Sequence, residues 1–211
     1  MPFRKQIWLG AETAIQFWDL QEKHSELEYM VQLSDSEQKY YNKFTNTKRK
    51  SEFLASRILQ RKVIPNKHIL YLDTGAPILN ESGCYISIAH STETACFMHS
   101  KYHCGVDIET ITSRALRVAK RFLNSKEFKF IGEEFPARDA TLLWSAKESI
   151  YKMLGRIGID FATQLIITSI ETSNRQHMKV SVINDGHTAE YELSYTFFDN
   201  QVVTWIVDDK I

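Results

Sequence analysis

The chain is poor in the residues that punctuate or cross-link a protein. Its 211 residues include 4 prolines, 8 glycines and 3 cysteines, and no apolar run approaches the roughly 20 residues of a membrane helix. The cysteines (Cys84, Cys96 and Cys104) are odd in number and lack metal-ligand spacing, which predicts reduced thiols rather than disulfides or a zinc site. The segment from Met1 to Trp8 has no apolar stretch of the secretory type. We therefore expect a cytoplasmic protein.

The chain also lacks net charge, because 26 Lys and Arg balance 26 Asp and Glu. No overall field therefore favours nucleic acid or a membrane surface, and neither is expected as a partner. Residues 39–62 are locally basic, with Glu52 as their single acid, which fits either a solvated helix face or an anion site. A Gly-rich phosphate loop, a His-rich metal cluster and a serine nucleophile elbow are all missing.

The secondary-structure patterns form two similar rounds. Residues 6–18 favour an opening strand and loop, followed by helices over 19–31 and 35–63 and strands over 68–72, 85–89, 94–100 and 104–108. Helices are then predicted over 116–122, 125–133 and 139–155, and strands over 165–172, 178–183, 191–198 and 201–207. This order predicts an α+β fold of two similar α/β halves, each with helices packed on a mainly antiparallel sheet, related by a pseudo-twofold axis. We place the halves at 1–110 and 111–211.

Two motifs carry most of the chemical information. In Gly105-Val106-Asp107-Ile108-Glu109, the two acids are two residues apart, so on a strand their carboxylates point to the same face. Such a pair is either solvated at a strand end or repulsive unless a cation lies between its members. The motif is thus a possible metal site as well as an ordinary acidic strand end.

The second motif is Trp144-Ser145-Ala146-Lys147-Glu148-Ser149-Ile150-Tyr151-Lys152. Glu148 and Lys152 are four apart and share a helix face, where the simplest interpretation is an exposed ion pair worth a few tenths of a kcal/mol. Three carboxylates and an ammonium from the two motifs, if brought together, suit a hard divalent cation and a phosphate-bearing substrate.

A shorter polar segment, His90-Ser91, ends the strand predicted over 85–89. His90 is either a structural residue or a phosphate hydrogen-bond donor or base. Ser91 adds a hydroxyl contact or caps a turn.

Together these segments resemble the 4′-phosphopantetheinyl transferases, specifically the longer, surfactin-type, pseudo-dimeric group. Both motifs fit the family's Gly-x-Asp-x-Glu strand and Trp-Ser-x-Lys-Glu-(Ser/Ala)-x-x-Lys helix. The segment from Tyr85 to Ser91 is similar to the family's Ile-Ser-x-(Ser)-His-Ser, with Ala89 replacing the second serine. Arg57-Ile58-Leu59-Gln60-Arg61 resembles its N-terminal helix, and the stretch from Arg121 to Glu127 resembles the segment before the second motif. The resemblance covers about residues 34 to 160.

The resemblance implies Mg²⁺-dependent transfer of phosphopantetheine from coenzyme A to a serine of an apo acyl or peptidyl carrier protein, releasing adenosine 3′,5′-bisphosphate. It implies that Asp107, Glu109 and Glu148 hold Mg²⁺ and that Asp107, Glu148 and Lys152 are catalytic. Glu148 would draw the serine proton directly or through a metal-bound water. The implied coenzyme A contacts are His90, Ser91, Lys147, Lys152, Arg57 and Lys48.

The chain departs from the family pattern at Gly75-Ala76-Pro77, where the family often has Gly-Lys-Pro. The nucleotide contact that this lysine would make must then come from elsewhere. We expect the 3′-phosphate contact from one of the nearby basic residues, Lys39, Lys43, Lys48, Arg49 or Lys50.

Carrier recognition is expected to involve a basic lip, for which the sequence offers Lys120, Arg121, Lys126 and Lys129, although these also fit ordinary surface positions. Two alternatives to the transferase stay open at this point: a non-catalytic module that binds coenzyme A or a carrier protein, and a generic metal-dependent phosphodiesterase, which would need a second metal cluster. A monomer is expected, because the chain supplies both predicted halves.

Overall fold

A computed structural model describes residues 3–81, 83–155, 158–172 and 176–209. The chain divides into two compact units, Met1–Cys104 and Gly105–Ile211, and each has its own sheet and helices. This confirms the predicted α+β class. The division falls before the expected residue 110, because most of the strand His103–Thr110 joins the sheet of the second unit. The predicted pseudo-twofold relation stays a prediction.

Within its described residues, 3–81 and 83–104, the first unit contains six strands and three helices. The strands are β1 (Phe3–Gly10), β2 (Thr13–Asp19), β3 (Ile69–Tyr71), β4 (Pro77–Leu79), β5 (Tyr85–His90) and β6 (Thr94–Ser100). The helices are α1 (His24–Met30), α2 (Asp35–Tyr41) and α3 (Thr47–Val63). The main sheet has the order β1-β2-β6-β5, and all its pairs are antiparallel. Strands β3 and β4 form a separate antiparallel pair.

Two predictions for this unit need correction. The stretch 6–18 is a hairpin of β1 and β2 rather than one strand and a loop. The helix predicted over 35–63 is divided into α2 and α3, because Asn46 begins a new helix: its side-chain oxygen accepts a hydrogen bond from the Arg49 backbone N–H at 3.2 Å. An asparagine that caps an orphan N–H in this way favours a helix start over continuation.

The core of the first unit lies between α3 and the main sheet. Phe53, Leu54 and Leu59 on α3 are buried together with Trp18 and Phe97 of the sheet. These apolar residues face the sheet, and the exposed basic residues of α3 lie at its ends, with Lys48 and Arg49 in the first turn and Lys62 in the last.

In the part of the second unit that the structure describes, five strands form a sheet in the order β7-β11-β10-β9-β8. These are β7 (His103–Thr110), β8 (Leu165–Glu171), β9 (His177–Asn184), β10 (His187–Phe198) and β11 (Gln201–Asp208). Its helices are α4 (Ser113–Val118), α5 (Pro136–Leu154) and α6 (Phe161–Gln164), with 3-10 turns at Ala119–Arg121 and Glu127–Phe130. The four strands predicted after residue 164 are confirmed, and three of the junctions in this sheet are antiparallel.

The helix predicted over 116–122 begins earlier, at Ser113, and its last turn is the 3-10 turn Ala119–Arg121, whereas the helix predicted over 125–133 is reduced to the 3-10 turn Glu127–Phe130. The Asn124 side chain accepts hydrogen bonds from the backbone N–H groups of Lys126 at 2.8 Å and Glu127 at 3.2 Å. Local side-chain bonds of this kind compete with helix formation. The Glu127 carboxylate in turn accepts the Asn124 N–H at 2.9 Å. This stretch is therefore a tight turn with a buried carboxylate rather than a helix.

Helix α5 is the element that positions the second motif. It begins at Pro136, whose missing N–H costs nothing in the first turn, and it ends before Gly155, which has a φ of +58°. Its apolar face belongs to the core of the second unit, and the Ser149 hydroxyl donates to the Thr204 carbonyl on β11 at 2.9 Å. The helix is thus fixed on the sheet by both apolar and polar contacts. None of the helices in the described residues is long and apolar enough to cross a membrane.

Candidate active site

The two acidic motifs meet inside the second unit, where α5 lies against β7. Gly105 allows this approach, because a Cβ there would lie 2.0 Å from the Ser149 carbonyl oxygen of α5. The strand and the helix are therefore in backbone contact at the start of the first motif. This contact brings Asp107 and Lys152, 45 residues apart in the chain, to hydrogen-bond distance.

Asp107 is the buried centre of the site, with 5% of its surface exposed. Its Oδ1 accepts a hydrogen bond from Lys152 Nζ at 2.7 Å, and the same ammonium donates to the Val106 carbonyl at 3.3 Å. The other oxygen, Oδ2, is buried and accepts no hydrogen bond from any described residue. A buried carboxylate oxygen without a donor is costly unless a ligand completes it.

Glu109 and Glu148 share the electrostatic field of Asp107. Burial, and then the charge of Asp107, raise the pKa of Glu109 to about 7, against the lowering effect of the hydrogen bond that Trp144 Nε1 donates to its Oε1 at 3.0 Å. Burial and Asp107 also raise the pKa of Glu148, while Lys152 lowers it. The three carboxylates thus hold more negative charge than one ammonium offsets.

A hard divalent cation fits this donor set. Within residues 3–81, 83–155, 158–172 and 176–209, no group of three His, Cys, Asp or Glu is already gathered in metal-ligand geometry. However, Mg²⁺ needs only one or two carboxylates, since it keeps several waters and is completed by substrate phosphates. The buried, partnerless Oδ2 of Asp107 and the raised pKa of its two neighbours both indicate a place where a cation is favourable.

Lys147, which the resemblance assigned to coenzyme A, is instead a buried structural cation. Its side chain is 0% exposed and forms an ion pair with Glu127 at 2.8 Å. The ammonium also donates to the carbonyls of Phe122 at 2.7 Å and Phe161 at 2.9 Å, and burial lowers the pKa of Lys147 against the opposing effect of Glu127. Three donors with three partners leave none for a phosphate, which corrects that assignment.

In the first unit, His90 lies beside Arg49 and the buried carboxylate of Glu52. Arg49 Nη1 is 2.5 Å from His90 Nε2 and 3.0 Å from Glu52 Oε2, and His90 Nε2 is 3.4 Å from the same Glu52 oxygen. Arg49 and His90 are both partly exposed, while Glu52 is 5% exposed. The arrangement presents an arginine and a histidine together, which suits an anionic group.

The other residues assigned to coenzyme A have different surroundings. The Ser91 hydroxyl accepts hydrogen bonds from the backbone N–H groups of Glu93 at 3.3 Å and Thr94 at 3.1 Å, so it caps a turn. Arg57 is 1% exposed and donates to Ser56 and Tyr71 at 2.8 Å, with its guanidinium 3.5 Å from the centre of the Phe53 ring. This burial does not support a direct contact of Arg57 with a ligand. Lys48 is exposed at the start of α3.

A cavity of about 610 Å³ opens beside Glu109 within the second unit. Its wall includes the aromatic residues Phe122, Trp144 and Phe161, and Arg121 lies at its lining. Of the four basic residues proposed for carrier recognition, Arg121 is thus the one that lines a cavity next to the acids. The cavity leaves room for a substrate group to reach Glu109.

Two partners in these sites were not found from the sequence. Trp144 belongs to the second motif, but nothing in the sequence indicated the hydrogen bond that its indole N–H donates to Glu109. Glu52 was noted only as the single acid of a basic segment, although its separation of three residues from Arg49 on a helix is the spacing of an ion pair. That spacing was the one available signal.

Comparison with known proteins gives this geometry a family. Residues 103–206 match the model of the 4′-phosphopantetheinyl transferase superfamily, and this region contains β7, α5 and all three carboxylates. Residues 103–206 belong to the 4′-phosphopantetheinyl transferase superfamily. This match confirms the resemblance that the two motifs indicated.

Two curated proteins are similar to this chain. It is 26% identical over 135 residues to 4′-phosphopantetheinyl transferase gsp of Aneurinibacillus migulanus, covering 59% of this chain and 56% of that protein. It is 31% identical over 137 residues to enterobactin synthase component D of Salmonella typhi, covering 60% of this chain and 58% of that protein. The chain therefore spans a little over half the length of the curated relatives it matches.

Proposed function

We propose that this protein transfers 4′-phosphopantetheine from coenzyme A to a serine hydroxyl of an apo acyl or peptidyl carrier protein, with Mg²⁺ as cofactor. The observation that carries the proposal is the contact of Lys152 with Asp107 at 2.7 Å, which joins the two family motifs at one place. The superfamily match of residues 103–206 and the name of the relative from Aneurinibacillus migulanus support the same reaction.

The reaction is a phosphoryl transfer. The serine oxygen forms a bond to the phosphorus that carries the pantetheine, and the bond from that phosphorus to the bridging pyrophosphate oxygen breaks. The leaving group is adenosine 3′,5′-bisphosphate. Such a reaction needs positioning and charge neutralisation more than covalent help from the protein.

Glu148 is suited to receive the serine proton. Its carboxylate is partly buried, and burial together with Asp107 raises its pKa above the ordinary 4.5, so it is a better base than an exposed glutamate. Lys152 is suited to offset the charge that develops on the leaving phosphate, because its ammonium is already held at this place by Asp107.

Asp107, Glu109 and Glu148 are the residues that would hold Mg²⁺. When bound, the ion would neutralise the pyrophosphate and polarise it toward attack. Asp107 supplies the oxygen that lacks a donor, and Trp144 fixes the orientation of Glu109. Each acid thus has a distinct environment suited to sharing a cation.

The first unit offers a phosphate contact. Arg49 and His90, which both lie beside Glu52, place a guanidinium and an imidazole together, an arrangement that suits a phosphate of coenzyme A. Among the basic residues considered for the 3′-phosphate, Arg49 is favoured by this pairing with His90. This contact would take the place of the lysine that the family often has at the position of Ala76.

The test is a panel of apo carrier proteins from fatty-acid, polyketide and nonribosomal peptide biosynthesis, incubated with coenzyme A and Mg²⁺. We expect intact-mass spectrometry to show one phosphopantetheine group added to at least one carrier, and chelation of the metal to abolish the addition. Transfer that persists in the chelator would contradict the role of Mg²⁺. A complete absence of transfer across the panel would contradict the proposal.

The same assay separates the alternatives. A non-catalytic module would bind coenzyme A in calorimetry without any dependence on Mg²⁺ and would modify no carrier. A phosphodiesterase would release free phosphopantetheine into solution with no carrier present. The cytoplasmic location and the monomeric state stay predictions, which fractionation and light scattering would check.

A further inference from the structure

All the hydrogen-bond donors of the Lys147 ammonium are used by buried partners within the protein. Its ammonium meets the carboxylate of Glu127 and the backbone carbonyls of Phe122 and Phe161, all within 2.9 Å. A single buried cation thus joins α5 to two segments that are otherwise distant from each other along the chain.

Glu127 is in turn held by backbone N–H groups of two other segments. Its Oε1 accepts the Ile167 N–H at 2.8 Å, and its Oε2 accepts the Asn124 N–H at 2.9 Å. The carboxylate is 0% exposed. The Glu127 carboxylate therefore sets the position of the Lys147 ammonium, because it is itself bonded to β8 through Ile167 and to the turn at Asn124.

The two carbonyls that Lys147 binds belong to residues whose rings enclose Trp144. The Phe122 ring meets the Trp144 indole edge-to-face at 5.1 Å between centroids, and the Phe161 ring meets it at 5.5 Å. The indole N–H is then aimed at Glu109 Oε1, 3.0 Å away. A continuous chain of contacts runs from the buried ammonium to an acid of the candidate metal site.

We propose that Lys147 is a positioning residue: by holding the backbones of Phe122 and Phe161 it fixes both aromatic rings, and through them it keeps the Trp144 indole in hydrogen-bond contact with Glu109. The indole in turn orients the Glu109 carboxylate. The consequence for Mg²⁺ binding rests on the proposed function, whereas the position of the indole does not.

The experiment observes the indole directly. The chain has 4 tryptophans, and each gives one indole N–H resonance in protein labelled with ¹⁵N-tryptophan. The resonance that disappears in the Trp144→Phe variant belongs to Trp144. The variant is Lys147→Met combined with Glu127→Gln, which leaves no unpaired charge in the core. We expect the Trp144 proton resonance to move upfield, because its hydrogen bond is lost or lengthened.

Two further variants separate positioning from general stability. Glu127→Gln alone removes the ion pair but leaves the ammonium its two carbonyl partners, so the Trp144 resonance should stay near its wild-type place. Phe161→Leu leaves the ion pair intact but removes one ring that holds the indole, so the resonance should move. Trp18, whose indole N–H donates to Glu22 at 3.1 Å in the first unit, is the internal reference and should not move in any variant.

Metal binding is the second measurement. Calorimetric titration with Mg²⁺ should show affinity about 10-fold weaker in the Lys147→Met/Glu127→Gln variant, the usual cost of losing a residue that orients a ligand. Trp144→Phe should weaken it as much, and adding Trp144→Phe to the paired variant should weaken it no further, because both act through the same bond.

An unchanged Trp144 resonance in the folded paired variant would overturn the inference, and so would additive losses of Mg²⁺ affinity. If the paired variant does not fold, an unmoved Trp144 resonance in Phe161→Leu would overturn the inference, because the inference requires the Phe161 ring to hold the indole. A protein that modifies no carrier but shows the expected shifts would refute the proposed function and leave this inference standing, so the two failures are distinguishable.

Discussion

The close approach of β7 and α5 at Gly105 makes a sharp prediction for Gly105→Ala. The added Cβ would lie 2.0 Å from the Ser149 carbonyl oxygen and 2.9 Å from the Met153 backbone nitrogen. Both are backbone atoms of the helix, so no side-chain rotation relieves the clash. The strand and the helix must therefore move apart by about 1 Å or more to reach the 3.0 Å below which such contacts are essentially not found.

The size of the effect follows from that displacement. Overpacking a core costs about 1–3 kcal/mol, and we expect the upper end, about 3 kcal/mol, because the obstacle is backbone. A shift of this size also stretches the 2.7 Å bond between Lys152 and Asp107 beyond hydrogen-bond reach. Misplacing catalytic groups by about 1 Å costs about 10²-fold in turnover. Stability and turnover should thus fall together.

The assay combines chemical denaturation with the carrier-modification rate. The matched control is Gly10→Ala, because a Cβ at Gly10 has nothing within 4 Å and should change neither quantity. Gly105→Ala with the stability and turnover of the wild type would refute the reasoning, since it would mean that the helix does not lie against the strand as described. Lost stability with full turnover would refute only the link from the packing to the acids.

Three further predictions concern the acids, the phosphate contact and acid stability. Asp107→Asn and Glu148→Gln should each lower kcat about 10²-fold or more, and Glu148→Gln, which keeps the shape of the side chain, should change the unfolding midpoint little; kcat within twofold of wild type would contradict the site. Arg49→Gln should raise the KM for coenzyme A about tenfold, as expected for one charge-assisted hydrogen bond, whereas Lys101→Gln, which removes an equal charge from a pair with Glu12, should not. Burial raises the pKa of Glu37, but hydrogen bonds from Ser34 and the charges of Arg61 and Arg57 outweigh it and hold that pKa below 4.5. Its stabilisation is therefore present above pH 4.5 and is lost as pH falls through the folded pKa, so the destabilisation by Glu37→Gln, about 3 kcal/mol at neutral pH for breaking a buried pair, should shrink in acid; a difference that stays constant down to pH 3 would contradict this.

Much of the fold was predictable because its periodic segments are long. Helix α5 has apolar residues at helical spacing over several turns and a glycine just beyond its end, and β9 and β10 alternate apolar with polar residues over much of their length. The failures came where short polar side chains decided the backbone. Asn46 divided the predicted helix 35–63, and Asn124 turned the predicted helix 125–133 into a single 3-10 turn. These asparagine caps act through one or two bonds, which a pattern averaged over a window does not detect.

The acids were predictable for a different reason. A strand puts Asp107 and Glu109 on one face by its own geometry, and a helix puts Glu148 and Lys152 on another, so only the meeting of the two elements remained unknown. What the sequence did not predict is the contact made by each residue. The orphan Oδ2 of Asp107 and the bond from Trp144 to Glu109 depend on the tertiary distance between β7 and α5.

The two lysines of the second motif show why residue type and spacing cannot assign a role by themselves. Lys147 and Lys152 are five residues apart, about 140° of rotation around the helix, so they leave α5 in different directions. The Lys147 side chain points toward Glu127 in the turn that follows Asn124, and it is fully buried there. The direction of Lys152 leads to Asp107, and 27% of its side chain stays exposed. Lys147 can therefore shape the site only through its neighbours, whereas Lys152 stays partly exposed beside Asp107.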